Sequence, residues 1–142
     1  MEPMIVNPLE AFAVLNEDPR ANYVDVRSVV EFAVSHPKSA RVFNVPLVFF
    51  HPTTKAVHSN DSFLLVMNDV FGKASRIIVG ADDGERAVES AKVLMADRFT
   101  NVSAMSKGIA GWNQYNLPTT TDNRPGVSYA SLLTAAKRRN QK

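Results

Sequence analysis

Between Arg76 and Leu94 the sequence reads RIIVGADDGERAVESAKVL, a short apolar run, a turn at Gly84 and an amphipathic stretch. A strand that passes through a tight loop into a helix is where open α/β proteins hold anions. Backbone N–H groups of the loop and of the first helical turn converge there. The loop side chains decide which chemistry can follow. Ala81 carries no reactive group, Asp82, Asp83 and Glu85 crowd the turn with carboxylates, and Arg86 is its single cation. A Walker-type phosphate loop needs Gly-Lys followed by Ser or Thr, which Gly80 and Gly84 do not supply. Asp83 suits the N-terminus of the following helix by capping and by charge. Adjacent Asp82 and Asp83 rarely aim at one point, so no hard-cation site is expected. His36, His51 and His58 lack zinc-site spacing. Neither a metal nor a cofactor is expected.

The chain contains no cysteine, which excludes disulfides, thiolate metal sites and thiol nucleophiles. Its 142 residues, 45% apolar and 21% charged, fit one soluble globular core. The net charge of +2 is concentrated at the end, where AAKRRNQK holds Lys137, Arg138, Arg139 and Lys142 with no acid. A solvated terminus is the simplest reading, and contact with phosphate or an acidic partner is the other. MEPMIVNPLEAF is neither a signal peptide nor a basic presequence. No apolar run approaches the roughly 20 residues that span a bilayer. The expectation is a cytoplasmic protein, or one of an organelle matrix, away from membranes.

Several elements must position the loop. Asn7 and Pro8 predict the cap and first turn of a helix through Leu15. NYVDV predicts a strand, followed by a short helix capped by Ser28 and carrying Val29, Val30 and Phe32 inward. ARVFNVPL predicts a second strand, and residues 49–60 show no periodicity. Phe63, Met67, Val70 and Phe71 recur at helical spacing. RIIVGA reads as a central parallel strand covered on both faces. Ala87, Ala91, Leu94 and Met95 line the next helix, FTNVSAM supplies another strand, and a last helix starts near Ser128. The fold class is therefore α/β, a central, mostly parallel sheet flanked by helices. Residues 1–118 form the domain. Residues 119–142 are a turn-rich connector and a basic C-terminal helix or tail.

Three motifs in order resemble a single rhodanese-homology domain. YVDVRSVVEF resembles its Asp-Val-Arg signature, and HPKSARVFNVP resembles its His-to-Asn-x-Pro segment with Ser39 in place of Gly. SKGIAGWNQYNLP resembles its closing Gly-Gly-x-x-x-Trp-x-x-x-Gly-Leu-Pro pattern, with Lys107 and Asn116 replacing glycines. The resemblance implies that residues 81–87 are the active-site loop, usually Cys, two variable residues, Gly, a variable residue, Arg and Ser or Thr. Gly84 and Arg86 are in place. Ala81 stands where the persulfide-carrying cysteine belongs, and Ala87 replaces the hydroxyl.

Sulfur transfer needs a thiolate to hold sulfane sulfur, and an alanine methyl cannot do so. The expected function is that of a catalytically silent interaction or scaffolding module with a protein partner. Asp25 and Arg27 are expected to brace the empty pocket, and Trp112 to anchor the core beside Leu117 and Pro118. Two alternatives stay open. One is an accessory subunit of a ribonucleoprotein that binds RNA through the basic tail. The other is an enzyme of unrelated acid–base chemistry at Asp82, Asp83 or Glu85.

Overall fold

The computed structural model describes residues 2–141. Five parallel strands form the central sheet: β1 (Met4–Val6), β2 (Asn22–Asp25), β4 (Val42–Asn44), β7 (Ile77–Gly80) and β8 (Val102–Met105), in the order β1-β8-β7-β2-β4. The two central strands, β2 and β7, are buried along their whole length. That burial is why RIIVGA reads as a continuous apolar run instead of an alternating one.

Side-chain alternation splits the core between the two faces of the sheet. Val24, Ile77 and Val79 face α3 (Phe63–Val70), α4 (Gly84–Ala96) and α6 (Tyr129–Asn140). Tyr23, Ile78 and Met105 face α1 (Pro8–Glu17), α2 (Val29–Val34) and α5 (Gly108–Gln114). Asn7 and Ser28 close capping boxes with Glu10 and Glu31 at the starts of α1 and α2. Ser28 caps as expected, but Val29 and Val30 lie on the solvent side of α2 and only Phe32 is buried. Trp112 is fully buried, meets Phe12 edge-on at 5.8 Å, and donates its Nε1–H to the Pro118 carbonyl at 2.9 Å.

Residues 49–60, without period in the sequence, form a hairpin of β5 (Val48–Phe50) and β6 (Val57–Ser59). Its turn is closed by His51, whose Nδ1 accepts from the N–H groups of Thr53 and Thr54. The connector after Pro118 contains β9 (Thr119–Thr120), which pairs with β3 (His36–Pro37). The helix that follows is seated in the core through Tyr129, Leu132 and Ala136. Tyr129 also exchanges hydrogen bonds with the buried Asn60 side chain. The C-terminal helix thus completes one face of the sheet. No helix among the described residues is long and apolar enough to cross a membrane.

Gly80 has a packing reason to be glycine. A Cβ at this position would lie 1.7 Å from Tyr23 Oη and 2.3 Å from its Cζ, inside a ring that is itself buried. Gly80→Ala is expected to lower unfolding free energy by about 1–3 kcal/mol, the usual range for overpacking. Tyr23→Leu in the Gly80→Ala background should recover part of that loss, although Tyr23→Leu alone destabilises. Urea denaturation of the three variants checks this; strictly additive losses would contradict it.

Candidate functional site

The base of the site is an ion pair at the carboxyl end of β2. Asp25 accepts from the Arg27 backbone N–H at 3.0 Å and from its guanidinium Nε and Nη2 at 3.0 and 2.8 Å. Arg27 Nη2 also donates to the Ser35 carbonyl at 2.6 Å, tying the end of α2 to the sheet. The Asn44 amide donates to the carbonyls of Asp25 and Arg27, both at 3.1 Å. Burial pushes the Asp25 carboxyl above its ordinary value, and the guanidinium pulls against that shift. Burial also opposes the charge of Arg27, but the hydrogen bond and charge of Asp25 more than offset it and hold its pKa high. Through these contacts the pair ties the end of β2 to α2 and β4.

His36 lies beside this pair, buried, with its ring stacked on Phe32 at 3.6 Å. Its Nδ1 is 2.7 Å from the Phe32 carbonyl and therefore carries the proton. Burial lowers its pKa, so the neutral ring is a satisfied core group. Among the described residues no three His, Asp or Glu side chains gather as a metal would require.

The loop begins where β7 ends. Ala81 is 1% exposed, and its carbonyl accepts from Ile109 N–H at 3.0 Å. Gly108, at φ +58°, presses so close that a Cβ there would sit 2.0 Å from the Asp82 carbonyl oxygen. Lys107 shares the left-handed conformation at φ 64°, which favours glycine. Asp83 caps α4, its Oδ1 accepting from Glu85 N–H at 3.0 Å and Arg86 N–H at 3.2 Å. Ala81 thus packs into the core as the chain leaves the strand, and the Asp83 carboxylate takes the N–H groups of Glu85 and Arg86 at the start of α4.

Residues 9–115 match the Rhodanese-like domain family. The chain belongs to that family. It is 33% identical over 107 residues to senescence-associated protein DIN1 of Raphanus sativus, covering 74% of this chain and 56% of that one. It therefore spans little more than half of the radish protein. It is 31% identical over 116 residues to thiosulfate sulfurtransferase GlpE of Haemophilus influenzae, covering 82% of this chain and 93% of GlpE. The fold matches the crystal structure of the Alr3790 protein from Anabaena with a TM-score of 0.67 at 17% identity, covering 96% and 94% of the two chains.

Within this rhodanese-like frame the loop carboxylates divide their tasks. Asp83 is spent on the helix cap, and Glu85 is exposed beside an apolar cleft that includes Ile5, Val88 and Met105. Only Asp82 turns to another acid, Glu31 of α2. Burial, the hydrogen bond to Glu31 and that residue's charge push Asp82 up to about 6, with Arg27 opposing and Asp25 reinforcing. Burial would raise Glu31 as well, but hydrogen bonds from Asp82 and Ser28 hold it below its ordinary value. The two shifts run in opposite directions, Asp82 up and Glu31 down. Sequence reasoning placed Glu31 in the YVDVRSVVEF motif but gave it no role beside the loop; the Ser28-x-x-Glu31 capping spacing was a second signal.

Arg86 turns outward, its guanidinium 5.7 Å from the Phe50 ring and its Nε 3.7 Å from Glu89. The loop thus has α2 on one side, through Glu31, and the β5–β6 hairpin on the other, through Phe50. Both flanks expose apolar side chains: Val30 and Val34 at 73% and 70%, with Phe49, Phe50 and Val57 opposite. The C-terminal cations lie apart from the loop, on α6 and its end. Arg139 is engaged by Asp69 through two hydrogen bonds, Nε to Oδ1 and Nη2 to Oδ2, whereas Lys137 and Arg138 are exposed. Lys142 lies outside the described residues.

Because Asp82 is raised in the folded chain, its pairing stabilises the fold below the ordinary carboxylate range. That contribution is lost as pH climbs through about 6. Asp82→Asn keeps a donor toward Glu31 at every pH. It should raise the melting temperature at about pH 7.5 and leave it unchanged near about pH 4. A difference independent of pH would contradict the pairing.

Proposed function

We propose that this rhodanese-like domain is catalytically silent and acts as a protein-interaction module. One observation carries the first half of the reading: Ala81, buried at the head of the loop, has a methyl group where sulfur chemistry needs a thiolate. The sequence holds no cysteine that could replace it. The thiosulfate sulfurtransferase activity for which GlpE is named is GlpE's own. The apolar side chains on both flanks of the loop support the second half. Acidic Asp82 and Glu85 between these flanks suit a partner segment that sets Lys or Arg among apolar residues.

An acid–base enzyme is the second reading, favoured by the unequal Glu31–Asp82 pair. Asp82 is only partly desolvated, on the exposed side of the loop, and Glu31 is half-buried. A pair within reach of water lacks the exclusion that gives such groups their catalytic strength, so the interaction reading is preferred.

Two tests follow. Ala81→Cys should transfer sulfur from thiosulfate to cyanide only weakly, because the ionised Asp82 raises the thiol pKa and repels the donor. Ala81→Cys with Asp82→Ser should show a lower thiol pKa and faster thiocyanate release. Equal rates would remove the electrostatic argument. Separately, a photocrosslinker at Val30 or Phe50 should capture the same discrete protein in native extract, and Val34→Asp with Phe49→Asp should abolish capture. Capture that survives both changes would place the interface elsewhere.

A further inference from the structure

At the pole opposite the loop, the amino-terminal ends of the strands border an open cleft of about 780 Å³. Arg20, Arg41 and Arg76 line it together with a single carboxylate, Asp18. These three cations come from separate segments, before β2, before β4 and before β7. One buried side chain gathers them. The Asn22 amide nitrogen donates to the carbonyls of Arg20 and Arg76, both at 3.0 Å, and its oxygen accepts from Arg41 Nε at 2.6 Å. Asn22 is 3% exposed, so the hub is part of the core and not a surface accident.

The guanidinium of Arg41 is held by Asn22 at its Nε and by the Phe43 ring, 5.5 Å from its centre. The terminal nitrogens make no other hydrogen bond among the described residues, leaving a fixed fork of donors. Asp18 organises the other two arginines without filling the cleft. Its Oδ1 accepts from the Arg20 backbone N–H at 2.9 Å, and its Oδ2 accepts from Arg76 Nη1 at 3.1 Å. Hydrogen bonds from Arg20 and Arg76 hold its carboxyl below the ordinary range, so it stays ionised. Three cations against one anion leave the cleft positive in a chain whose net charge is only +2. Asn101 and Ser103 add neutral polar groups to its wall.

Arginine forks match phosphate oxygens in geometry as well as charge. We propose that this cleft binds a ligand carrying consecutive phosphates, supplied either by a free nucleotide or by the backbone of a single-stranded RNA. The site is independent of the silent loop, on which the proposed interaction role rests, and each can fail without the other.

Titration of the full chain with fluorescent ADP and with fluorescent oligouridylate, each across a salt series, tests the proposal. Arg20→Gln with Arg41→Gln should weaken binding by roughly tenfold or more, since two charge-assisted contacts are lost. For the oligonucleotide, the log–log salt slope should also fall by roughly 0.7 for each contact removed. Arg41→Lys should behave like Arg41→Gln, because lysine keeps the charge but loses the fork held by Asn22. Lys137→Gln with Arg138→Gln should change nothing. Oligouridylate binding more tightly than ADP assigns the cleft to RNA, and equal affinities assign it to a nucleotide. The proposal is overturned if neither probe binds saturably. It is equally overturned if the folded Arg20→Gln, Arg41→Gln variant binds like wild type, or if only the Lys137 and Arg138 variant loses affinity.

Discussion

The buried pairing of Asp25 with Arg27 is the constraint around which this pole of the molecule is organised. A carboxylate and a guanidinium withdrawn from water are tolerable only with their hydrogen bonds satisfied. Meeting that demand fixes the neighbourhood: Arg27 reaches the end of α2 at Ser35, and Asn44 clasps both carbonyls from β4. The start of α2, so positioned, presents Glu31 to Asp82, and Asp82 connects to a loop pinned from behind by Ile109 and Gly108. Ala81, at the head of that loop, is buried in the core.

The loop is held by groups with separate structural tasks. Asp83 caps α4, Gly108 permits the close approach of two backbones, and Trp112 fills the face beneath α1. None of these tasks needs a thiol. The residues that hold the loop therefore serve the fold. The carboxylates around Ala81 are free to take on other surface duties, as Asp82 does with Glu31.

Much of the fold was legible because its central strands are buried on both faces. IIVG between a helix and a glycine turn has few other uses, and Asn7 and Ser28 announce their helices by side-chain chemistry. The placement of Ala81, Asp83, Gly84 and Arg86 was legible for the same reason: strand and helix bracket them tightly. The hairpin was hidden because Val57, His58 and Ser59 are all exposed and carry no alternation. The strand β1 was hidden by its three-residue length and its position at the sheet edge. One misplacement shows the limit: Val29 and Val30 face solvent, because tertiary neighbours decide such matters where local pattern is silent.

We propose that Ala81 leaves this rhodanese-like domain unable to carry sulfur. Intact-mass spectrometry of the full chain after incubation with thiosulfate, and with a low-molecular-weight persulfide, tests it most directly. The account predicts an unchanged mass with both donors. A gain of one sulfur atom that cyanide removes would contradict it.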